Sequence, residues 1–142
     1  MNINPFGHLP DGREVQRIIL SGHGLKVNIL NYGAIVQDLR LEGHHPSLVL
    51  GYEKLNDYLK YSPYFGAIAG RCANRINKGK IELDGRSFQL DPNYLEKHCL
   101  HGGSISMGKS LWKIESTSNT AVTLSINVPD GHMGFPGNLK TK

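Results

Sequence analysis

The sequence predicts an all-β fold, an antiparallel β-sandwich, on three observations. Apolar residues repeat with a period of two, glycine is abundant, and an Asp-Gly pair separates two alternating runs. The alternation is clearest at Leu25, Val27 and Ile29, set against Lys26 and Asn28, and at Val122, Leu124, Ile126 and Val128, set against Thr123, Ser125 and Asn127. A strand puts residues i and i+2 on one face, so each run predicts a strand with one buried face and one wet face. A helical period would scatter the same residues around the axis. The 17 glycines in 142 residues are unfavourable inside helices and useful in tight turns, so the excess points the same way.

The Asp-Gly signal is a hairpin. Ile81 and Leu83 precede Asp84-Gly85, and Phe88 and Leu90 follow. Asp-Gly accepts the positive φ angles of a type I′ turn, whose twist matches that of the flanking strands. Residues 13–20, 35–41, 48–50, 65–69 and 111–115 read as further strands. Gly22-His23-Gly24, Asn31-Tyr32-Gly33 and Ser118-Asn119 supply turns between strands. Turns at this density belong to a sandwich or a barrel. Residues 53–60 alone read as a helix, and Pro63 stops it, because proline cannot continue the hydrogen-bond ladder. A strand starting at Asn138-Leu139 meets Lys142 almost at once, which predicts a truncated sandwich.

Length and composition bound the class. The 142 residues make one domain, long enough to bury about two-thirds of its unfolded surface. Apolar residues at 39% and charged residues at 20% fit a globular chain. The net charge of +4 comes without a one-sided Lys/Arg run, so no nucleic-acid partner is expected. The two cysteines, Cys72 and Cys99, are too few for a disulfide framework and read as free thiols. Met1-Asn2-Ile3-Asn4-Pro5 lacks the basic-then-apolar pattern of a signal peptide, and the apolar runs fall short of a membrane span. These features predict a cytoplasmic protein with no membrane partner. Phosphate-binding glycine loops and a Gly-x-Ser-x-Gly nucleophile elbow do not occur, so nucleotide and serine-hydrolase chemistry lack support.

Four segments are denser in polar or aromatic groups than turns require. Gly70-Arg71-Cys72-Ala73-Asn74-Arg75-Ile76 follows the apolar run at 65–69. Two Arg and an Asn just past a buried strand sit at a sheet rim, as donors to hydroxyls or a carboxylate; the alternative is solvated or ion-paired arginines. His98-Cys99-Leu100-His101-Gly102-Gly103 places an imidazole where the backbone approaches closely, suited to bonding a sugar oxygen or carrying a proton. Metal ligation by His98 and His101 with Cys99 or Cys72 is not expected, since residues three apart on a strand face opposite sides. His44-His45 before Pro46 reads as a plain loop. Residues 129–137 form a long turn in which Phe135 is either a sugar platform or a plug for the sandwich end. Residues 56–65 carry Tyr58, Tyr61, Tyr64 and Phe65, which line a cleft or fill the core.

Taken in order, these segments resemble the aldose 1-epimerase (galactose mutarotase) family. The matching residues are Asn31-Tyr32-Gly33-Ala34, then residues 70–76 quoted above, then Leu100-His101-Gly102-Gly103. Pro129-Asp130-Gly131 with Gly134-Phe135-Pro136-Gly137 completes the set. The resemblance implies a large antiparallel supersandwich with an open carbohydrate cleft, of which residues 1–142 are the N-terminal part of a single domain. It implies interconversion of the α and β anomers of hexoses such as galactose and glucose, without a cofactor and without a metal. A Glu takes the anomeric proton, a His protonates the ring oxygen, and the ring opens and recloses. Asn74 and Arg75 match the family's sugar-binding Asn-Arg pair, and His101 matches its binding His. The Asn-His-x-Tyr-Phe-Asn-like stretch of the catalytic acid and the late Glu of the base find no match, so both are expected beyond Lys142. His132 stands where the family often has an acidic residue.

Three functions follow as expectations: an aldose 1-epimerase whose chain here is inactive alone, a non-catalytic carbohydrate-binding β module, and a relative acting on hexose 6-phosphates. The expected small-molecule partner is an aldohexose. Sheet edges and a core face left uncovered predict self-association.

Overall fold

A computed structural model describes residues 2–61 and 64–142. The chain opens with a meander of four strands, β1 (Ile3–His8), β2 (Glu14–Gly22), β3 (Leu25–Leu30) and β4 (Ile35–Leu41), side by side in that order. Each neighbouring pair is antiparallel. β2 turns into β3 through His23 and Gly24, whose φ values of 51° and 78° suit a tight hairpin. A seven-residue helix, α1 (Leu55–Tyr61), follows and buries Leu55 and Tyr58. Next come β5 (Arg75–Ile76), the hairpin of β6 (Lys80–Leu83) and β7 (Arg86–Gln89), and β8 (Cys99–Leu100), which pairs back onto β5. The last sheet has the order β11 (Leu139–Thr141), β10 (Val122–Val128), β9 (Lys113–Thr117), again antiparallel. This is the antiparallel β-sandwich class that the alternation predicts.

The hairpin at Asp84-Gly85 forms as the turn chemistry demands: Leu83 pairs with Arg86, and the two turn residues take φ of 51° and 71°. Two predicted strands do not form. Residues 48–50 contribute one bond to the sheet, Leu48 N–H to Leu39 O at 2.8 Å. Residues 65–69 are a turn lying against β4, since Tyr64 and Gly66 both adopt positive φ. Val36 N–H reaches Gly66 O at 3.0 Å and Ile68 N–H reaches Gly33 O at 3.0 Å, but Ile68 remains exposed. An apolar run without alternation therefore marks a half-covered turn here, where sequence reads a buried strand. The helix lies within two residues of its expected bounds, and Pro63 falls outside the described residues. Among the described residues no helix is long and apolar enough to cross a membrane.

One core lies between the meander and α1, where Leu9, Val15, Leu30, Tyr32, Ile35, Leu55 and Tyr58 pack together. A second gathers Met107, Trp112 and Val128 against the three-stranded sheet. The two are joined at the residues after β3. Trp112 N–H donates to Asn31 O at 2.7 Å, Gly33 N–H to Ser110 O at 2.8 Å, and Tyr32 forms a bridge with Leu111. A third, smaller core of Leu90, Cys99 and Phe135 underlies the candidate site.

The meander is apolar on both faces. Ile18 pairs with Ile29 and Leu20 with Val27, while Ile29 pairs with Val36 and Val27 with Leu39, so these six share the face opposite Leu30. Ile18 and Leu20 are buried there, but the row frays to Leu25 and Leu41, 42% and 43% exposed. The alternation of β3 is thus real, and the side it fills is the less covered one; Leu30, outside the alternating set, is fully buried. We expect Leu30→Ala to lower unfolding free energy by about 2–5 kcal/mol and Leu25→Ala by less than about 1 kcal/mol. Urea unfolding of both variants checks this, and equal losses would contradict it.

Candidate functional site

Asn74, Arg75 and His101 come together at the β5–β8 pair. Arg75 lies opposite Leu100, and the pairing continues one step further: His101 N–H donates to Asn74 O at 3.0 Å. The bond is returned, with Asn74 N–H donating to His101 Nδ1 at 3.1 Å. That acceptor role requires a bare Nδ1, so the neutral ring carries its proton on Nε2. Arg75 Nη1 donates to Asn74 Oδ1 at 2.9 Å. Asn74 and Arg75 are exposed and His101 is half-buried, which makes this an open rim. A 580 Å³ groove lies elsewhere, lined by Lys113, Glu115, Ser125, Asn127, Lys140 and Thr141 among others.

The loops that hold the rim are tightly cross-braced. Asn93 grips Leu100 at both ends, donating to Leu100 O at 2.9 Å and accepting from Leu100 N–H at 2.7 Å. Gly102 has φ of 88°, and a Cβ there would overlap the Gly70 carbonyl oxygen, so the His-Gly-Gly and Gly-Arg segments cross at a point only glycine fits. Arg71 is half-buried and, among the described residues, makes no ion pair. It donates to Pro136 O at 2.8 Å, Val128 O at 3.1 Å and Pro129 O at 2.9 Å, with its guanidinium 6.0 Å from the Phe135 ring. It ties the first motif to the turn at 129–137. His132 occupies the same brace, its Nε2 bonded to Ile105 O at 2.6 Å, and Asp130 Oδ1 accepts from Gly137 N–H.

The aromatics divide between roles. Phe135 is buried and plugs the third core beneath Arg71. Tyr58 is core, and Phe65 packs at its margin. Tyr61 is exposed. Tyr64 lies beside the site, its ring 4.6 Å from that of His101, with Lys109 Nζ 5.0 Å from the Tyr64 ring. Tyr94, which sequence reasoning did not single out, sits 4.6 Å from the Arg75 guanidinium; nothing in its spacing marks it. His98 is held separately, its Nδ1 accepting from Lys78 N–H at 3.1 Å.

Burial pushes the Tyr64 hydroxyl above its ordinary value, and the neighbouring Cys99 adds to the shift. Burial likewise raises the Cys99 thiol, with Asp91 second, so Cys99 stays protonated while Cys72 is exposed. Among the described residues the ion pairs are Asp11–Arg13, Asp38–Arg40 and Glu115–Lys113, and none involves Asn74, Arg75 or His101. Among the same residues the hydrogen bond that the Arg75 guanidinium makes is the one to Asn74 Oδ1.

The fold is thus of the antiparallel β-sandwich class, with Asn74, Arg75 and His101 gathered at an open rim. The aldose 1-epimerase family profile matches residues 16–142. Galactose mutarotases of Rattus norvegicus and Homo sapiens are each 40% identical over 139 residues, covering 95% of this chain and 40% of theirs. The crystal structure of galactose 1-epimerase from Lactobacillus acidophilus NCFM superposes with a TM-score of 0.82 at 28% identity, over 98% of this chain and 42% of that one. The chain belongs to the aldose 1-epimerase family, and it spans about 40% of the length of the curated relatives it matches.

Replacing the Arg71 brace should be felt in stability. Arg71→Met leaves three carbonyls without their charged donor, and we expect a loss of at least about 2 kcal/mol, read from the urea midpoint. A midpoint unchanged from the parent would show that the brace carries no weight.

Proposed function

We propose that residues 1–142 are the N-terminal part of a single aldose 1-epimerase domain, and that Asn74, Arg75 and His101 hold an aldohexose such as galactose. The observation that carries this is the two-way bond between Asn74 and His101. It joins two motifs, Asn74 and Arg75 from one and His101 from the other, at a single rim and leaves the His101 Nε2–H and the Arg75 edge as donors. A pyranose presents acceptor oxygens at its ring and hydroxyls, which these donors complement.

The activity proposed is interconversion of the α and β anomers. A base takes the proton from the anomeric hydroxyl, an acid protonates the ring oxygen, and the bond from the anomeric carbon to that oxygen breaks. The open aldehyde rotates about its C1–C2 bond and recloses, returning both protons. Atoms and electrons balance within the sugar, so the proposed reaction uses no cofactor. His101 supplies a hydrogen bond near the ring oxygen. The general acid His and the base Glu are assigned to the part of the family domain beyond Lys142, and the half-covered face at Leu25 and Leu41 to packing against that same part.

Two measurements test this. Polarimetry on α-galactose should find the 142-residue chain at least about 100-fold slower than a full-length family member, since acid–base groups each contribute about 10²–10⁴-fold. Rate enhancement by this chain that Arg75→Ala abolishes would refute the assignment of the acid and base. The isolated chain should also self-associate through its exposed apolar face and sheet edges. Light scattering is expected to show a mass above that of the monomer, and a monodisperse, cooperatively unfolding monomer would count against it.

A further inference from the structure

We infer that Tyr94 is a positioning residue for Arg75, one that fixes where the guanidinium presents its donors; this rests on the sugar-site reading of Arg75. Arg75 is exposed, and an exposed arginine on a long flexible side chain samples many rotamers that ligand binding must then restrict. Two contacts remove that freedom here. Asn74 Oδ1 accepts from Nη1 at 2.9 Å, and the Tyr94 ring stands 4.6 Å from the guanidinium carbon, within the range of cation–π attraction. One fixes an end of the guanidinium, the other supports it against an aromatic ring.

Tyr94 is itself held, which is what a positioning group needs. Its N–H donates to His98 O at 3.0 Å, and its carbonyl accepts from His98 N–H at 2.9 Å, closing a small turn. The His98 ring, 6.4 Å from that of Tyr94, is anchored by the Lys78 amide. Asn93, the preceding residue, is clamped to Leu100, directly opposite Arg75 in the β5–β8 ladder. The ring and the guanidinium it supports are thus referenced to the same two-residue ladder. Tyr94 touches no reacting atom; it acts through Arg75.

The test uses the 142-residue chain with Tyr94→Phe, Tyr94→Leu and Arg75→Ala, read by NMR during titration with galactose. In the parent and in Tyr94→Phe, the side-chain δ protons of Arg75 should be shifted upfield by the ring current, and in Tyr94→Leu that shift should vanish. Galactose affinity should hold within experimental error for Tyr94→Phe and fall about two- to five-fold for Tyr94→Leu, the range of an exposed cation–π contact. Loss of the upfield shift without loss of affinity, in a chain whose affinity does fall on Arg75→Ala, would overturn the positioning role alone. Affinity indifferent to Arg75→Ala would overturn the sugar-site reading and the role of Tyr94 with it.

Discussion

Asn31 stands where the two main sheets meet, and its three hydrogen bonds hold the end of β3 to both. Its N–H donates to Gln16 O at 3.0 Å and its carbonyl accepts from Trp112 N–H at 2.7 Å, while its Oδ1 accepts from Gln16 N–H at 2.8 Å. The residue is buried, so losing any of these bonds would strand a polar group away from water at a cost of about 1–3 kcal/mol, and the Trp112 bond is the one that spans the two sheets. The side chain satisfies β2 and the main chain satisfies the lead into β9. One residue thereby couples the meander's inner core to the core around Trp112.

The site inherits that rigidity through crossing loops. Gly33 binds Ser110 and Ile68, so the segment that leads to Gly70 and the segment that leads from Gly103 are both referenced to the end of β3. Where these segments cross, Gly102 lies against the Gly70 carbonyl, and the Asn74–His101 bonds follow within a few residues. Arg71 then draws in the turn at 129–137. The four motifs are therefore parts of one mechanical unit: residues 70–76 and 100–103 cross in contact, and Gly33 and the turn at 129–137 brace them.

The division between what was legible and what was not follows from the range of the interactions. Alternation at 122–128, the strand at 35–41 and the Asp84-Gly85 turn were readable because local geometry decides them: a two-residue period and two positive φ angles need no distant partner. The apolar run at 65–69 misleads because it has no period, and its turn is imposed by contact with β4. Arg71 and Arg75 have the same side chain four positions apart, yet one is bonded to three carbonyls and the other remains open at the rim. Composition assigns both the same fate.

By itself the sequence determined the all-β class, the hairpins and the family motifs that name Asn74, Arg75 and His101, because turn chemistry and side-chain period act over a few residues. Only the tertiary structure decided which face of β3 is covered, that Phe135 is a plug, and that Tyr94 lies over Arg75. Those outcomes depend on residues far apart in the chain reaching the same place, and the sheet pairings that bring them there are set by cores no local window contains.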